Sequence, residues 1–171
     1  KPMSSIAGVK PERVLVFCRT KHRVDDVSKM LKNAQVKVDV MHADRTQKER
    51  ERALERFRDG KVQVLVATDV MSRGIDVSGI DAVVNFDVPM DPEDYVHRIG
   101  RTARAGREGS AVTLVGERDV PSLREIENLL EIEIPRAVLP EGFMAPSEQT
   151  DLSKGRHADR KRRKGGSGSQ V

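Results

Sequence analysis

Five short runs rich in valine and other apolar residues recur along the chain and alternate with longer, strongly charged stretches. The runs cover residues 13–18, 36–41, 62–68, 80–86 and 110–115. Two of them contain the segments VLVF and VLVA, and such continuous apolar segments are typical of strands buried on both faces of a parallel sheet. The alternation therefore predicts an α/β fold, an open parallel sheet with right-handed crossovers flanked by helices.

The charged stretches have the periodicity of helices. They cover residues 21–33, 46–59, 92–104 and 118–131. In the second stretch, Ala53 and Phe57 share a helical face, and Gly60 is typical of a helix end. In the third, Asp91 followed by Pro92 is typical of an N-cap and a first helical residue. These signals predict helices on the faces of the sheet.

The composition restricts the class of protein. Cys18 is the single cysteine, so no internal disulfide can form, which suits a reducing compartment. No apolar run is long enough to span a membrane, and the segment KPMSSIAGVK has no apolar core of the signal-peptide type. We therefore expect a cytoplasmic protein that does not associate with membranes.

The positive charge of the chain is concentrated in one segment. Residues 153–164 contain seven basic side chains and one acidic side chain. Because the whole chain has a formal net charge of +4, this segment carries +6 and the remainder carries −2. Apolar periodicity stops after Phe143, and the last residues are GGSGSQV. The sequence predicts a folded domain over residues 1–145 and a disordered basic tail over residues 146–171.

Polar clusters follow three of the predicted strands and accompany the third predicted helix. They cover residues 18–21, 42–44, 68–76 and 97–104. Ligands of open α/β sheets bind where the carboxyl ends of the strands pass into loops. The clusters therefore predict a binding site at this edge of the sheet.

Arg98, Arg101 and Arg104 recur at a spacing of three residues, which places them on one helical face. Such a face is often merely solvated, but guanidinium groups also bind phosphate oxygens in pairs. Asp76 suits either a turn or a hydrogen bond from a ribose hydroxyl. Neither His42 nor His97 is accompanied by other ligands at metal-binding spacing, so no metal site is predicted.

The sequence contains no complete phosphate-binding motif. A P-loop requires G-x-x-x-x-G-K-[ST], and the Gly-Lys pair at Gly60 and Lys61 is followed by Val62. No apolar run ends in paired acidic residues suited to Mg²⁺, and no G-x-S-x-G, H-E-x-x-H or C-x-x-C pattern occurs. A phosphate-facing site without a phosphate cradle indicates one half of an ATPase.

Four segments carry a family resemblance. VLVFCRTK, HADRTQKER, VLVATDVMSRGID and YVHRIGRTARAG, in this order and spacing, are similar to motifs IV, IVa, V and VI of the DEAD-box RNA helicases. The resemblance covers about residues 13–143, and the histidine at the head of the last motif favours the DEAD-box group over its relatives. The stretch IENLLEIEIPRAVLP also resembles the bacterial RhlE-type subfamily.

The resemblance implies a RecA-like fold, that of the P-loop NTPases without its own P-loop. In the family, this domain and an N-terminal RecA-like domain close around ATP and single-stranded RNA. The P-loop and the DEAD residues lie in the N-terminal domain, which would therefore bind most of the ATP and its Mg²⁺. The C-terminal domain alone is expected to be inactive as an ATPase.

The resemblance also implies roles for individual residues. Arg101 and Arg104 match the arginine fingers directed at the γ-phosphate, Asp76 matches the residue that contacts the ribose of ATP, and His97 matches the residue that couples the site to the partner domain. The positions that touch the RNA sugar-phosphate chain, or that position groups touching it, are Thr20, Ala43, Gln47, Arg50, Thr68 and Asp69. The family usually has glycine where Ala43 stands, but the backbone N–H remains available.

Two other classes of protein are alternatives to this interpretation. A non-enzymatic RNA-binding or regulatory module of the same fold would need neither Arg101 nor Arg104, and their presence together with Asp76 argues against it. A dinucleotide-binding oxidoreductase domain is disfavoured because no G-x-G-x-x-G follows any predicted strand.

Overall fold

The computed structural model describes residues 11–72, 79–102 and 109–137. These ranges contain the strands β1 (Val14–Phe17), β2 (Val38–Met41), β3 (Val64–Ala67), β4 (Ala82–Asn85) and β5 (Ser110–Thr113). They also contain the helices α1 (Lys21–Asn33), α2 (Gln47–Arg58), α3 (Asp69–Ser72), α4 (Pro92–Ile99) and α5 (Val120–Leu130). A short 3-10 helix (Glu117–Asp119) precedes α5.

The strands form one parallel sheet in the order β2-β3-β1-β4-β5. Strand β1 lies at the centre, where Val14 is in register with Val64 of β3 and with Ala82 of β4. The predicted open parallel sheet flanked by helices is confirmed.

Alternate strand residues contribute to apolar clusters on the two faces of the sheet. Phe57 of α2 belongs to the cluster that contains Leu65, and Val24 of α1 belongs to the cluster that contains Val16. Phe57, Leu65 and Val24 are fully buried. Burial on both faces accounts for the continuous apolar runs, since neither face of these strands meets water.

Side-chain caps fix where the helices begin. The Thr20 Oγ1 accepts a hydrogen bond from the Arg23 N–H at 3.2 Å, which starts α1. Thr46 and Glu49 form a capping box at the start of α2, and the Thr46 N–H donates to Glu49 Oε2 at 2.8 Å. This bond holds the pKa of Glu49 below its ordinary value. As predicted, Asp91 caps α4.

Helix α4 is shorter than predicted. It ends at Ile99, and a Cβ added at the C-cap Gly100 would lie 3.1 Å from the Val96 carbonyl oxygen. The Arg101 N–H then donates to Arg98 O at 3.1 Å, a tight turn rather than a further α-helical turn. Arg98 and Arg101 are therefore not successive positions on one α-helical face, and the prediction of a continuous helix over residues 92–104 was wrong.

The chain divides into two units after Ile134, and the elements above belong to the first. The predicted boundary between residues 145 and 146 and the basic tail both lie outside the described residues. Within the ranges that the structure describes, no helix is long and apolar enough to cross a membrane.

Candidate functional site at the carboxyl edge of the sheet

Several of the residues predicted to contact a ligand gather at one edge of the sheet. Strands β2, β3 and β1 are neighbours, and Ala43, Thr68 and Thr20 follow their carboxyl ends. Gln47 and Arg50 lie in the first turns of α2, which the loop containing Ala43 leads into. We call Thr20, Ala43, Gln47 and Arg50 the open edge, because polar groups there remain available to a ligand.

Thr20 has a structural task and a spare donor. Its Oγ1 accepts the capping bond from Arg23, and within the described ranges its hydroxyl hydrogen has no acceptor. Because a hydroxyl donates one hydrogen bond in addition to those that it accepts, Thr20 can cap α1 and bind an anion at the same time.

Ala43 and Gln47 present N–H groups on the other side of the open edge. Ala43 is exposed, and its backbone N–H has no partner among the residues the structure describes. The Gln47 side-chain amide donates to Glu51 Oε1 at 2.8 Å. Next to Ala43, Lys21 Nζ lies 2.8 Å from Asp44 Oδ2, and this bond lowers the pKa of Asp44. The loop is thus fixed by side chains while the Ala43 N–H stays open.

The Arg50 guanidinium carries a charge that no carboxylate of the described residues neutralises. Its Nη1 donates to the thioether sulfur of Met71 at 2.8 Å, and its buried Nε has no hydrogen-bond partner among those residues. In the described part of the chain, no carboxylate lies within ion-pair distance of Arg50. An arginine left in this state favours an incoming anion. No pattern in the sequence predicts the contact with Met71.

Arg98 and Asp69 form an ion pair in which the arginine is buried and the carboxylate is partly exposed. Arg98 is 2% exposed, its Nε lies 2.6 Å from Asp69 Oδ1, and its Nη2 lies 2.6 Å from Asp69 Oδ2. Arg98 is therefore neither a solvated surface residue nor a phosphate ligand, and both sequence interpretations were wrong for it. Both oxygens of the Asp69 carboxylate accept hydrogen bonds from Arg98.

The remaining contacts of Arg98 join several elements. Its Nη1 donates to Asn85 Oδ1 at 3.1 Å and to the Asp87 carbonyl oxygen at 2.8 Å. Its guanidinium carbon lies 5.0 Å from the centroid of the Phe17 ring. We call Asp69, Asn85, Asp87 and Arg98 the closed network, because it uses every nitrogen of the guanidinium and ties the ends of β3 and β4 to α4.

Sequence reasoning missed Asn85, although a signal for it was present. Asn85 is fully buried at the end of β4, and its amide also donates to Thr113 Oγ1 of β5 at 3.1 Å. A polar side chain that ends an apolar run requires a buried partner. The run AVVN therefore contained a clue to the closed network.

Asp87 connects the closed network to the start of α1. Its carboxylate accepts the Arg19 N–H at 2.9 Å and lies 3.5 Å from Arg23 Nε. Burial, reinforced by the negative charge of Asp87, raises the pKa of Cys18 to about 12. The Cys18 thiol is therefore neutral at physiological pH and unsuited to nucleophilic chemistry.

The structure describes only two of the residues predicted for the ATP site and its coupling, Arg101 and His97. Arg101 is partly exposed just beyond α4. The His97 side chain is 65% exposed, and its Nδ1 lies 4.0 Å from Asp94 Oδ1. Asp76 and Arg104 lie outside the described residues. Among residues 11–72, 79–102 and 109–137, no group of three or more His, Cys, Asp or Glu side chains could hold a metal ion.

Comparison with known families identifies the class of protein that this sheet and edge define. A model described as the helicase conserved C-terminal domain matches residues 4–106, which is more than half of the chain. The chain therefore belongs to the helicase C-terminal domain family, in its DEAD-box branch.

One relative is the ATP-dependent RNA helicase CshA of Listeria monocytogenes. The two are 51% identical over 117 residues, which cover 68% of this chain and 22% of that protein. The chain thus spans about a quarter of the length of the curated relatives that it matches. The RhlE-type assignment is untested by these relatives and stays a prediction.

Solved structures confirm the RecA-like fold predicted from the motifs. The Escherichia coli DEAD-box protein SrmB, solved with the regulator of ribonuclease activity A, has a TM-score of 0.69 and 38% identity. That match covers 79% of this chain and 81% of the SrmB chain. Saccharomyces cerevisiae Dbp5 bound to RNA and ADP BeF3 has a TM-score of 0.68 and 35% identity, covering 73% of this chain and 34% of that one.

Proposed function

We propose that this chain is the C-terminal half of an ATP-dependent RNA helicase, in which it supplies part of a single-stranded RNA site and the arginine fingers for ATP hydrolysis. The open edge carries the proposal. There the described residues include a spare hydroxyl after β1, a free backbone N–H after β2 and an unneutralised guanidinium near the start of α2.

The donors of the open edge suit a phosphate chain. The Thr20 hydroxyl, the Ala43 N–H and the Arg50 guanidinium all donate hydrogen bonds, and phosphate oxygens only accept them. Gln47 and Thr68 complete the RNA-binding set. Asp69, whose carboxylate is engaged by Arg98, contributes by holding the Thr68 segment. Contacts to the sugar-phosphate chain read no bases, so binding is independent of RNA sequence.

The ATP-facing part of the proposal concerns Arg101, Arg104 and Asp76. When the domain closes on an N-terminal RecA-like domain that holds ATP and Mg²⁺, Arg101 and Arg104 stabilise charge on the γ-phosphate, and Asp76 accepts a hydrogen bond from the ribose. His97, whose side chain on α4 is exposed, couples the site to the partner domain. Fingers on a second body make hydrolysis depend on closure.

The test of the arginine fingers uses this domain joined to its N-terminal partner. We expect Arg101→Ala and Arg104→Ala each to lower the kcat of RNA-stimulated hydrolysis by about 10³-fold or more, with ATP binding nearly unchanged, because the groups act on transition-state charge. The matched control is Arg124→Ala, a change at an exposed arginine of α5. An active Arg101→Ala/Arg104→Ala double variant would mean that these arginines are solvated surface residues and not arginine fingers.

The 171-residue chain alone provides a second test. We expect no ATP turnover with Mg²⁺ and single-stranded RNA present, because the sequence contains no P-loop. Steady-state phosphate release measures this directly. RNA-stimulated turnover by the pure chain would contradict the assignment of ATP binding to a partner domain.

A further inference from the structure

We propose that Met71 is a positioning residue for RNA binding, whose thioether orients the Arg50 guanidinium without neutralising it. The inference rests on the proposed RNA-binding role of the open edge and assigns that edge a component outside its predicted contact set.

The geometry isolates one contact. Arg50 Nη1 lies 2.8 Å from Met71 Sδ, and the buried Arg50 Nε has no hydrogen-bond partner in the part of the chain that the structure describes. Met71 is partly buried and packs against the apolar cluster that contains Phe57 and Leu65. The sulfur atom is therefore held by the core, and it fixes a long side chain that would otherwise sample many rotamers.

The choice of a thioether sets Arg50 apart from arginines nearby. Three other arginines each have a carboxylate partner. Arg56 lies 3.0 Å from Asp39, Arg45 lies 3.5 Å from Asp25, and Arg98 lies 2.6 Å from Asp69. A thioether is a weak, uncharged acceptor. Because a guanidinium has five N–H donors, Nη1 can keep its contact with the sulfur while other N–H groups donate to a phosphate oxygen, whereas a carboxylate would compete with the phosphate.

Met71 also connects Arg50 to the rest of the site. It lies on α3 in the same short helix as Asp69, which Arg98 fixes, and its N–H donates to the Thr68 carbonyl oxygen at 3.2 Å. The sulfur contact therefore sets the position of Arg50 relative to Thr68. Arg50 and Thr68, two residues predicted to contact phosphate, are thereby held at a fixed position relative to each other.

The test is an NMR titration of the ¹⁵N-labelled full chain with a single-stranded oligouridylate. The backbone amide signals of Ala43 and Gln47 report RNA at the open edge, whatever the basic tail binds. The variants are Met71→Leu, which keeps the volume and removes the sulfur, Arg50→Ala and the double variant. Met30→Leu is the matched control, since Met30 is an exposed methionine on α1. Thermal unfolding of each variant verifies that it is folded.

We expect Met71→Leu to weaken local binding by about threefold, the order expected for one neutral hydrogen bond, and Met30→Leu to leave it unchanged. Because Met71 acts through Arg50, the double variant should bind as weakly as Arg50→Ala alone. A further loss on adding Met71→Leu to Arg50→Ala, or equal behaviour of Met71→Leu and Met30→Leu, overturns the inference alone. If Arg50→Ala has no effect, or the two amides never respond to RNA, the proposed RNA site fails with it.

Discussion

The closed network and the open edge lie at the ends of neighbouring strands and use arginine in opposite ways. Arg98 is buried, and Asp69, Asn85 and Asp87 satisfy all of its nitrogens. Arg50 meets a single sulfur atom and no carboxylate among the described residues. The difference shows that an arginine's partners, rather than its spacing in the sequence, decide whether its charge is neutralised within the fold or left available to a ligand.

The largest effect should follow from breaking the closed network. We expect Arg98→Ala to lower the free energy of unfolding by about 3–5 kcal/mol, because it removes the two bonds to Asp69 and takes the donor away from two buried acceptors, Asn85 Oδ1 and the Asp87 carbonyl oxygen. Urea denaturation followed by circular dichroism measures the loss. Arg50→Ala should cost less than about 1 kcal/mol, and equal losses for the two variants would erase the distinction between the regions.

A lysine at position 98 sharpens the same point. Arg98→Lys keeps the charge, but an ammonium group cannot form the two parallel bonds to Asp69 and also reach Asn85. We therefore expect Arg98→Lys to recover less than half of the stability lost in Arg98→Ala, again by urea denaturation. Full recovery would mean that charge alone, without the fork geometry, holds the network.

Removing the residues after Thr150 should separate the open edge from the basic tail. If four to six of the seven basic groups in residues 153–164 engage RNA, the log–log salt slope of the full chain is about −3 to −4. We expect the shortened chain to bind more weakly with a flatter slope and unchanged unfolding. Fluorescence anisotropy at several salt concentrations measures both chains. Identical slopes would assign the tail no role in binding.

Thr20 tests whether a single side chain serves both fold and ligand. We expect Thr20→Ala to cost about 1 kcal/mol, because the Arg23 N–H loses its cap. Thr20→Asp should retain the stability, since aspartate also caps helices, yet weaken RNA binding by repelling phosphate. Thermal unfolding and RNA titration of the same two variants check this. Equal RNA affinity for Thr20→Asp and the unchanged chain would leave Thr20 as a cap only.

We expect the smallest effects at Cys18. Its buried thiol lies beside the closed network. We expect no reaction with iodoacetamide in the folded chain at neutral pH and faster labelling in Arg98→Ala. Its pKa rises from 9.0 to about 12 on folding, so above pH 9 the unfolded chain loses the thiol proton first. The free energy of unfolding should therefore decrease between pH 9.0 and about pH 12 in the chain without substitutions, and it should decrease less in Cys18→Ala. Rapid labelling of the folded chain would contradict the burial.

The fold could be predicted from the sequence because strands that are buried on both faces consist of apolar residues. Strand β3 is buried at every residue, and its run VLVA is apolar throughout. The ends of the strands were predicted less accurately, since the apolar run at residues 62–68 extends beyond β3, which covers Val64–Ala67. The cap pattern at Asp91 and Pro92 located the start of α4, but its end at Ile99 depends on how Gly100 meets the Val96 carbonyl, which periodicity does not record.

The site was predicted less completely than the fold. The motif resemblance located Arg50 and Thr20, which the structure brings to one edge. It could not show that Asp69 is engaged by Arg98, because the two are 29 residues apart and their pairing depends on tertiary structure. Met71 gave no signal at all, since methionine in an apolar setting usually packs. Contacts between separate elements were therefore what sequence reasoning missed.

The order of strands in the sheet has a consequence for how the domain forms during synthesis. Strand β1 is made first, yet its neighbours β3 and β4 come much later, and β2 pairs with β3 instead. An emerging chain that has reached only β2 therefore has no partner for either strand. Such non-local pairing slows folding and leaves apolar strand edges exposed to other chains in the meantime. The central position of β1, which makes the finished sheet stable, thus makes the nascent domain dependent on protection from aggregation until β3 has been synthesised.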